Sequence, residues 1–75
     1  MSEILGNPGK IKVLINKEEV IVEEGTVIKS LLAERGAKSR SAVWVNGRQL
    51  LLAEYDTYQI QDGDNIKILR VVAGG

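Results

Sequence analysis

Gly25-Thr26-Val27-Ile28-Lys29-Ser30-Leu31-Leu32-Ala33-Glu34-Arg35-Gly36, residues 25–36, is the stretch that decides the fold. Val27, Ile28, Leu31 and Leu32 recur one helical turn apart, and Lys29, Ser30 and Glu34 fall on the opposite side. That is the period of an amphipathic helix with one stripe to bury. Thr26 is expected as the N-cap, its hydroxyl accepting a bond from an amide of the first turn. Glu23 and Glu24, just before it, are expected to complement the positive end of the helix dipole rather than form a catalytic acid pair. Gly36 closes the helix after Arg35 in its last turn. The predicted helix spans Val27 to Arg35, and its stripe needs a sheet to cover.

Strand patterns lie on both sides of it. Upstream, Lys10 to Ile15 alternates, with Ile11, Val13 and Ile15 on one face and Lys10, Lys12 and Leu14 on the other. Asn16, Lys17 and Glu18 form a short turn into a second strand, Glu19 to Val22, so the pair reads as an antiparallel hairpin. Met1 to Gly9, with turn formers Gly6, Asn7, Pro8 and Gly9, reads as a flexible lead-in. Downstream, Ala37 to Ser41 connects to a strand at Ala42 to Val45, with Val43 and Val45 on one face and Trp44 on the other. Asn46-Gly47 is a tight-turn pair, and a short strand near Arg48 to Leu50 follows. Leu51 to Ile60 has no clean period. A turn or 3₁₀ segment is expected there, tucking Leu52 or Tyr58 under the sheet. Asp62-Gly63-Asp64 is a turn, and Asn65 to Val72 is the last strand. Asp62 and Asp64 lack the remaining ligands and the closing glutamate of a calcium loop, so turn chemistry is the reading there.

The order is strand, strand, helix, strand, strand, strand. One helix covers one face of one sheet, with the first and last strands central because their apolar patterns are longest. This is an α+β chain of β-grasp (ubiquitin-like) architecture, a mixed sheet of four to five strands. Residues 1–9 are the lead-in, 10–72 the domain and 73–75 a flexible Gly-Gly tail.

Composition removes several function classes. The 75 residues contain no cysteine and no histidine. Disulfides, thiolate metal sites and a cysteine nucleophile are therefore absent, as is the side chain best suited to acid–base work near neutral pH. An autonomous hydrolase or metalloenzyme does not fit, and no metal site is expected. Ten basic and ten acidic residues are interspersed at net charge zero, so no nucleic-acid partner is expected. No apolar run approaches a membrane span and no signal-peptide layout is present, so a soluble cytoplasmic protein is expected.

The tail is Val71-Val72-Ala73-Gly74-Gly75. Glycine has no Cβ, so such an arm threads a narrow slot and takes backbone angles closed to other residues. The competing reading is an ordinary frayed end. Strand parity adds a second candidate surface. Leu14, Trp44 and Leu69 point away from the helix side if Val13, Val43 and Ile68 point toward it. Together they would form an apolar patch on the open face, a place for a protein partner. The alternative is that the lead-in or residues 51–60 cover them. Arg70 either meets an acidic residue of a partner or is simply solvated. Tyr55 and Tyr58 are expected to pack loop to core.

The chain resembles the ThiS/MoaD family of ubiquitin-like sulfur carriers, and is more similar to ThiS. The resemblance runs over Lys10 to Gly75. It is carried by Glu24-Gly25-Thr26-Val27 with Leu31-Leu32, by Val45-Asn46-Gly47, by Asp62-Gly63-Asp64 and by the Val71 to Gly75 ending. The lead-in Met1 to Gly9 is a departure from a minimal ThiS. The resemblance implies a non-enzyme co-substrate. An E1-like (ThiF/MoeB-type) adenylating enzyme would use ATP and magnesium to adenylate the Gly75 carboxylate, and a sulfur donor protein would displace AMP to leave a thiocarboxylate. No cofactor is bound by the chain itself. Gly75 would bear the sulfur, Gly74 and Ala73 would let the arm enter a partner's active site, and Val71 and Val72 would finish the strand and add contact. The sulfur would go to a thiazole synthase in thiamine biosynthesis. The alternatives are a MoaD-like role beside the molybdopterin synthase large subunit, another sulfur-transfer pathway, a ubiquitin-like modifier, and a plain β-grasp interaction module.

Overall fold

A computed structural model describes residues 9–69. The predicted order of elements is the observed one. The strands are β1 (Lys10–Ile15), β2 (Glu18–Glu23), β3 (Ala42–Val45), β4 (Arg48–Gln49) and β5 (Asn65–Leu69), with helix α1 (Ile28–Glu34) between β2 and β3. They form a five-stranded sheet in the order β2-β1-β5-β3-β4. β1 runs parallel to β5, and β3 runs antiparallel to it. The first and last strands are thus neighbours inside the sheet, as their patterns require.

The core lies between α1 and one face of this sheet. Val13 and Ile15 of β1, Val22 of β2, Val43 and Val45 of β3 and Ile66 of β5 all project there, meeting Ile28, Leu31 and Leu32 of α1. Alternation does the sorting, since successive strand residues point to opposite faces. Ile66 and Ile28 have no exposed surface at all.

Both hairpins turn on two residues with left-handed backbone. Asn16 and Lys17 have φ of 51° and 74°, and Asn46 and Gly47 have 52° and 87°. These are the signs of the turn type whose twist matches the strands it joins. The first turn is one residue shorter than expected, since Glu18 already pairs with Ile15. The fourth strand is also shorter, and Leu50 just beyond it is buried at 3% exposure.

The start of the helix differs from the expectation. Thr26 is not its N-cap. The helix begins at Ile28 with Val27 in the cap position, and the Thr26 hydroxyl donates to the Glu23 carbonyl at 2.6 Å. The reason is tertiary. Val27 bridges to Gln59, and the Ile60 amide donates to the Thr26 carbonyl at 2.8 Å, which holds residues 26–27 extended. Glu23 and Glu24 consequently precede the helix by too much to meet its dipole. Glu23 ends β2 and faces Lys10 across the hairpin at 3.8 Å. The C-terminal end is as read. Gly36 has φ of 71°, and the Gly36 and Ala37 amides donate back to the Ala33 and Leu32 carbonyls, the paired bonds of a glycine-closed helix.

The segment from Leu51 to Ile60 contains the expected 3₁₀ turn, at Leu52–Glu54. The residue it tucks away is Tyr55, 5% exposed, whereas Leu52 is 48% exposed and Tyr58 half-buried. Tyr55 wins the inner place because its ring packs on the core while its hydroxyl donates to the Ser41 carbonyl at 2.7 Å. Leucine has no way to satisfy that carbonyl. Asp62 and Asp64 are engaged as turn residues. Asp62 accepts from the Lys12 amide at 2.9 Å, and Asp64 lies buried in the network described below. No helix among the described residues is long and apolar enough to cross a membrane.

Candidate functional site

β5 is the last described strand before the Gly74-Gly75 ending, so its anchoring determines how firmly that ending is presented. Ile66 plugs it into the core. Two turn asparagines then clamp its two edges. On the β1 side, the Asn16 amide donates to the Ile66 carbonyl at 2.9 Å, and the Asn16 side-chain oxygen accepts from the Ile68 amide at 2.8 Å. A side chain thus continues the ladder beyond the last residue of β1. On the β3 side, the Asn46 amide donates to the Asn65 carbonyl at 2.8 Å, and its side-chain oxygen accepts from the Asn65 amide at 2.9 Å. Its side-chain nitrogen donates to Asp64 at 3.0 Å. Sequence reading identified both asparagines only as turn formers. The residue type was the available signal, since Asn tolerates the left-handed backbone that both positions adopt. Their partners lie 52 and 19 residues away and leave no local pattern.

Asp64 is the buried polar centre at the base of β5, 6% exposed. Its carboxylate accepts from the Tyr58 hydroxyl at 2.7 Å, the Gln61 amide at 2.9 Å and Asn46. Several donors replace the water that burial removes. Burial, then the bond to Asp64 and its charge, push the Tyr58 phenol up to about 12. Burial also raises Tyr55. Glu54 is held below the usual carboxylate range by the Leu51 amide and then by Arg48. All three shifts belong to groups that staple loops to the domain.

The open face carries the other candidates. Leu14, Trp44 and Leu69 all lie on it, on the adjacent strands β1, β3 and β5. Leu14 and Trp44 are half-buried and Leu69 is 44% exposed. Trp44 stands directly opposite Lys67, and Ala42 opposite Leu69, so Trp44 and Leu69 are diagonal neighbours within reach of each other. Leu14 lies opposite Asn65 instead. Its diagonal apolar neighbour is Ile21 on edge strand β2, 58% exposed, which sequence reading did not single out. The face therefore holds two apolar pairs, Leu14 with Ile21 and Trp44 with Leu69, divided by Asn65 and Lys67. Exposed ion pairs Lys10–Glu23 and Lys12–Glu19 border the first pair. Arg70, Val71, Val72, Ala73, Gly74 and Gly75 lie outside the described residues, as does most of the lead-in.

The arrangement is a clamped central strand running to a glycine tail, beside an apolar face. The sequence profile of the ThiS family matches residues 4–75. The chain belongs to the ThiS family. ThiS-family membership makes it a small ubiquitin-like sulfur carrier. The match takes in both the clamped strand and the Gly-Gly ending of this ThiS-family chain. It also includes residues 4–9, so most of the lead-in belongs to the matched region. Among solved structures the chain is similar to a thiamine biosynthesis protein (ThiS) from Geobacter metallireducens, at 23% identity and a TM-score of 0.73. That likeness covers 87% of this chain and 100% of the other, and it shows the β-grasp fold. A search of curated proteins found no significant match.

Proposed function

We propose that this ThiS-family protein carries sulfur on the Gly75 carboxylate for assembly of the thiazole of thiamine. The observation that carries the reading is the family match running through the Gly74-Gly75 tail that follows the clamped β5. A carboxylate is a poor electrophile because its leaving group would be oxide. In the proposed cycle a Gly75 carboxylate oxygen attacks the α-phosphorus of ATP on an E1-like adenylating enzyme, with magnesium held by that enzyme, and pyrophosphate leaves. Hydrosulfide released by a donor protein then attacks the acyl carbon and gives up its proton to solvent. The C–S bond forms, the C–O bond to AMP breaks, and a thiocarboxylate remains. That group is a soft nucleophile able to give sulfur to an electrophilic carbon on a thiazole synthase. No side chain of the carrier takes part in bond making. The ATP-dependent cycle fits the cytoplasmic setting proposed for this carrier.

The roles along the tail are steric. Gly74 and Ala73 are proposed to keep the arm thin, and Val71 and Val72 to add partner contact. Leu14, Trp44, Leu69 and Arg70 are proposed as partner contacts. The test is intact-mass analysis after incubation with the adenylating enzyme of the same organism, ATP, magnesium and hydrosulfide. The expected shift is one oxygen exchanged for sulfur, with AMP released, and both are absent when Gly75 is deleted. An unchanged mass with no AMP formed overturns the reading. Transfer to thiazole synthase, and not to a molybdopterin synthase large subunit, is expected of the loaded carrier.

A further inference from the structure

The 3₁₀ turn leaves two neighbouring leucines outside, Leu51 at 69% exposure and Leu52 at 48%. Single exposed apolar residues are ordinary. These two, however, line a groove at the β3–β4 edge together with Ala42, Gln49, Lys38 and Arg40. No acidic residue lines it. The whole chain is neutral, so two cations beside an apolar floor are a local excess. Lys10, Lys12, Lys29, Arg35 and Arg48 each lie within 4.0 Å of a carboxylate. Lys38 and Arg40 are exposed and have no such neighbour among the described residues. Of the cations elsewhere on the domain, Lys17 and Lys67 also have no carboxylate within 4.0 Å among the described residues, but neither lines this groove. The groove is also well placed. Ala42 on its floor pairs with Leu69, the last described residue before the tail.

We infer that this groove docks an acidic, leucine-complementary segment of the enzyme that takes the tail. The inference rests on the carrier reading above and adds a second contact site to it. Carboxylates of that segment meet Lys38 and Arg40, and an apolar side chain packs on Leu51 and Leu52. The charges steer and orient the approach, and the leucines hold it. A partner gripping the tail as it leaves β5 reaches the groove from the same end of the sheet. A nucleic acid would match the cations but would leave both leucines without a partner.

The test is calorimetric titration of the full chain into the adenylating enzyme of the same organism, at low and high salt. Lys38→Glu/Arg40→Glu and Leu51→Ser/Leu52→Ser are compared with the unaltered protein, and melting curves confirm that each variant folds. All four positions are solvent-exposed, so folding is expected to hold. Each double variant is expected to bind about tenfold more weakly, with the charge-reversed one losing most of the salt dependence. Binding of both variants within about twofold of the unaltered chain, on the scale of the tenfold loss above, overturns the groove and leaves the carrier reading intact. Failure of the unaltered chain to bind overturns both. A dimer in sedimentation that Leu51→Ser/Leu52→Ser dissolves assigns the groove to a second copy and overturns the inference. Amide shifts at Lys38, Arg40 and Leu51 on removal of residues 70–75 assign it to the protein's own tail and overturn the inference as well.

Discussion

Tyr58 donates its phenolic hydrogen to the Asp64 carboxylate at 2.7 Å, in a pocket where Asp64 is only 6% exposed. This bond joins the irregular segment before β5 to the base of that strand. The same carboxylate takes the Asn46 side chain, whose oxygen holds the Asn65 amide. The start of the tail-bearing strand is thus tied to two loops at once.

Tyr58→Phe removes the donor and leaves a buried carboxylate with one partner fewer. Bonds to charged groups contribute more than neutral ones, so a loss of about 2 kcal/mol is expected. Urea denaturation measures it. A loss indistinguishable from zero would mean that water replaces the hydroxyl, and that the loop is not stapled through this bond.

Alkaline pH tests the same site. The Tyr58 phenol is raised to about 12 and Tyr55 is raised by burial, from an ordinary value of 10.0. A group with a raised folded value stabilises the fold fully below its unfolded value, and that contribution is lost as pH rises through the folded one. The tyrosine contribution to stability should therefore be constant to about pH 10 and decline toward pH 12. Absorbance at the tyrosinate band should show both tyrosines ionising late in the native protein and normally in urea. Titration of either near pH 10 in the native protein contradicts its assigned surroundings.

Two leucines of the same size should behave oppositely. Leu31 is 1% exposed on the inner stripe of α1, and Leu52 is 48% exposed on the 3₁₀ turn. Leu31→Ala is expected to cost about 2–5 kcal/mol through lost transfer energy and the cavity left behind. Leu52→Ala should stay within about 0.5 kcal/mol. Equal losses in thermal or urea unfolding would contradict the placement of the 3₁₀ turn.

Lys17 occupies a left-handed position, φ 74°, after Asn16 in the first hairpin. Side chains other than Gly and Asn strain there. Lys17→Gly makes this turn an Asn-Gly pair like the second hairpin and should raise stability by about 0.5–1 kcal/mol, the released strain exceeding the added chain entropy. A fall in melting temperature would show that the strain is already relieved.

Trp44 and Leu69 are diagonal neighbours on the open face, outside the core. Trp44→Ala is expected to weaken binding to the adenylating enzyme by about tenfold or more, as aromatic centres of interfaces do, at a smaller cost in stability than Leu31→Ala. Unfolding of the domain with residual binding intact would place Trp44 in the core instead.

The residues by themselves determined the order of elements, the faces that β1, β3 and β5 bury, both hairpins, the glycine end of the helix and the family. These features are local. Period two and period 3.6 sort side chains between core and solvent without knowledge of any neighbour, and Asn46-Gly47 carries its turn within two positions. Tertiary structure decided what depends on residues far apart in the chain. Thr26 and Val27 have the chemistry of a helix start, but pairing with Gln59 and Ile60 holds them extended. The segment from Leu51 to Ile60 offered several apolar candidates, and the Ser41 carbonyl selected Tyr55 as the one able to satisfy it. The two asparagine clamps on β5 and the cationic groove at Leu51 and Leu52 arise the same way. Backbone groups left unpaired by one element must be met by another. Which side chain meets them is set only when the chain has closed on itself.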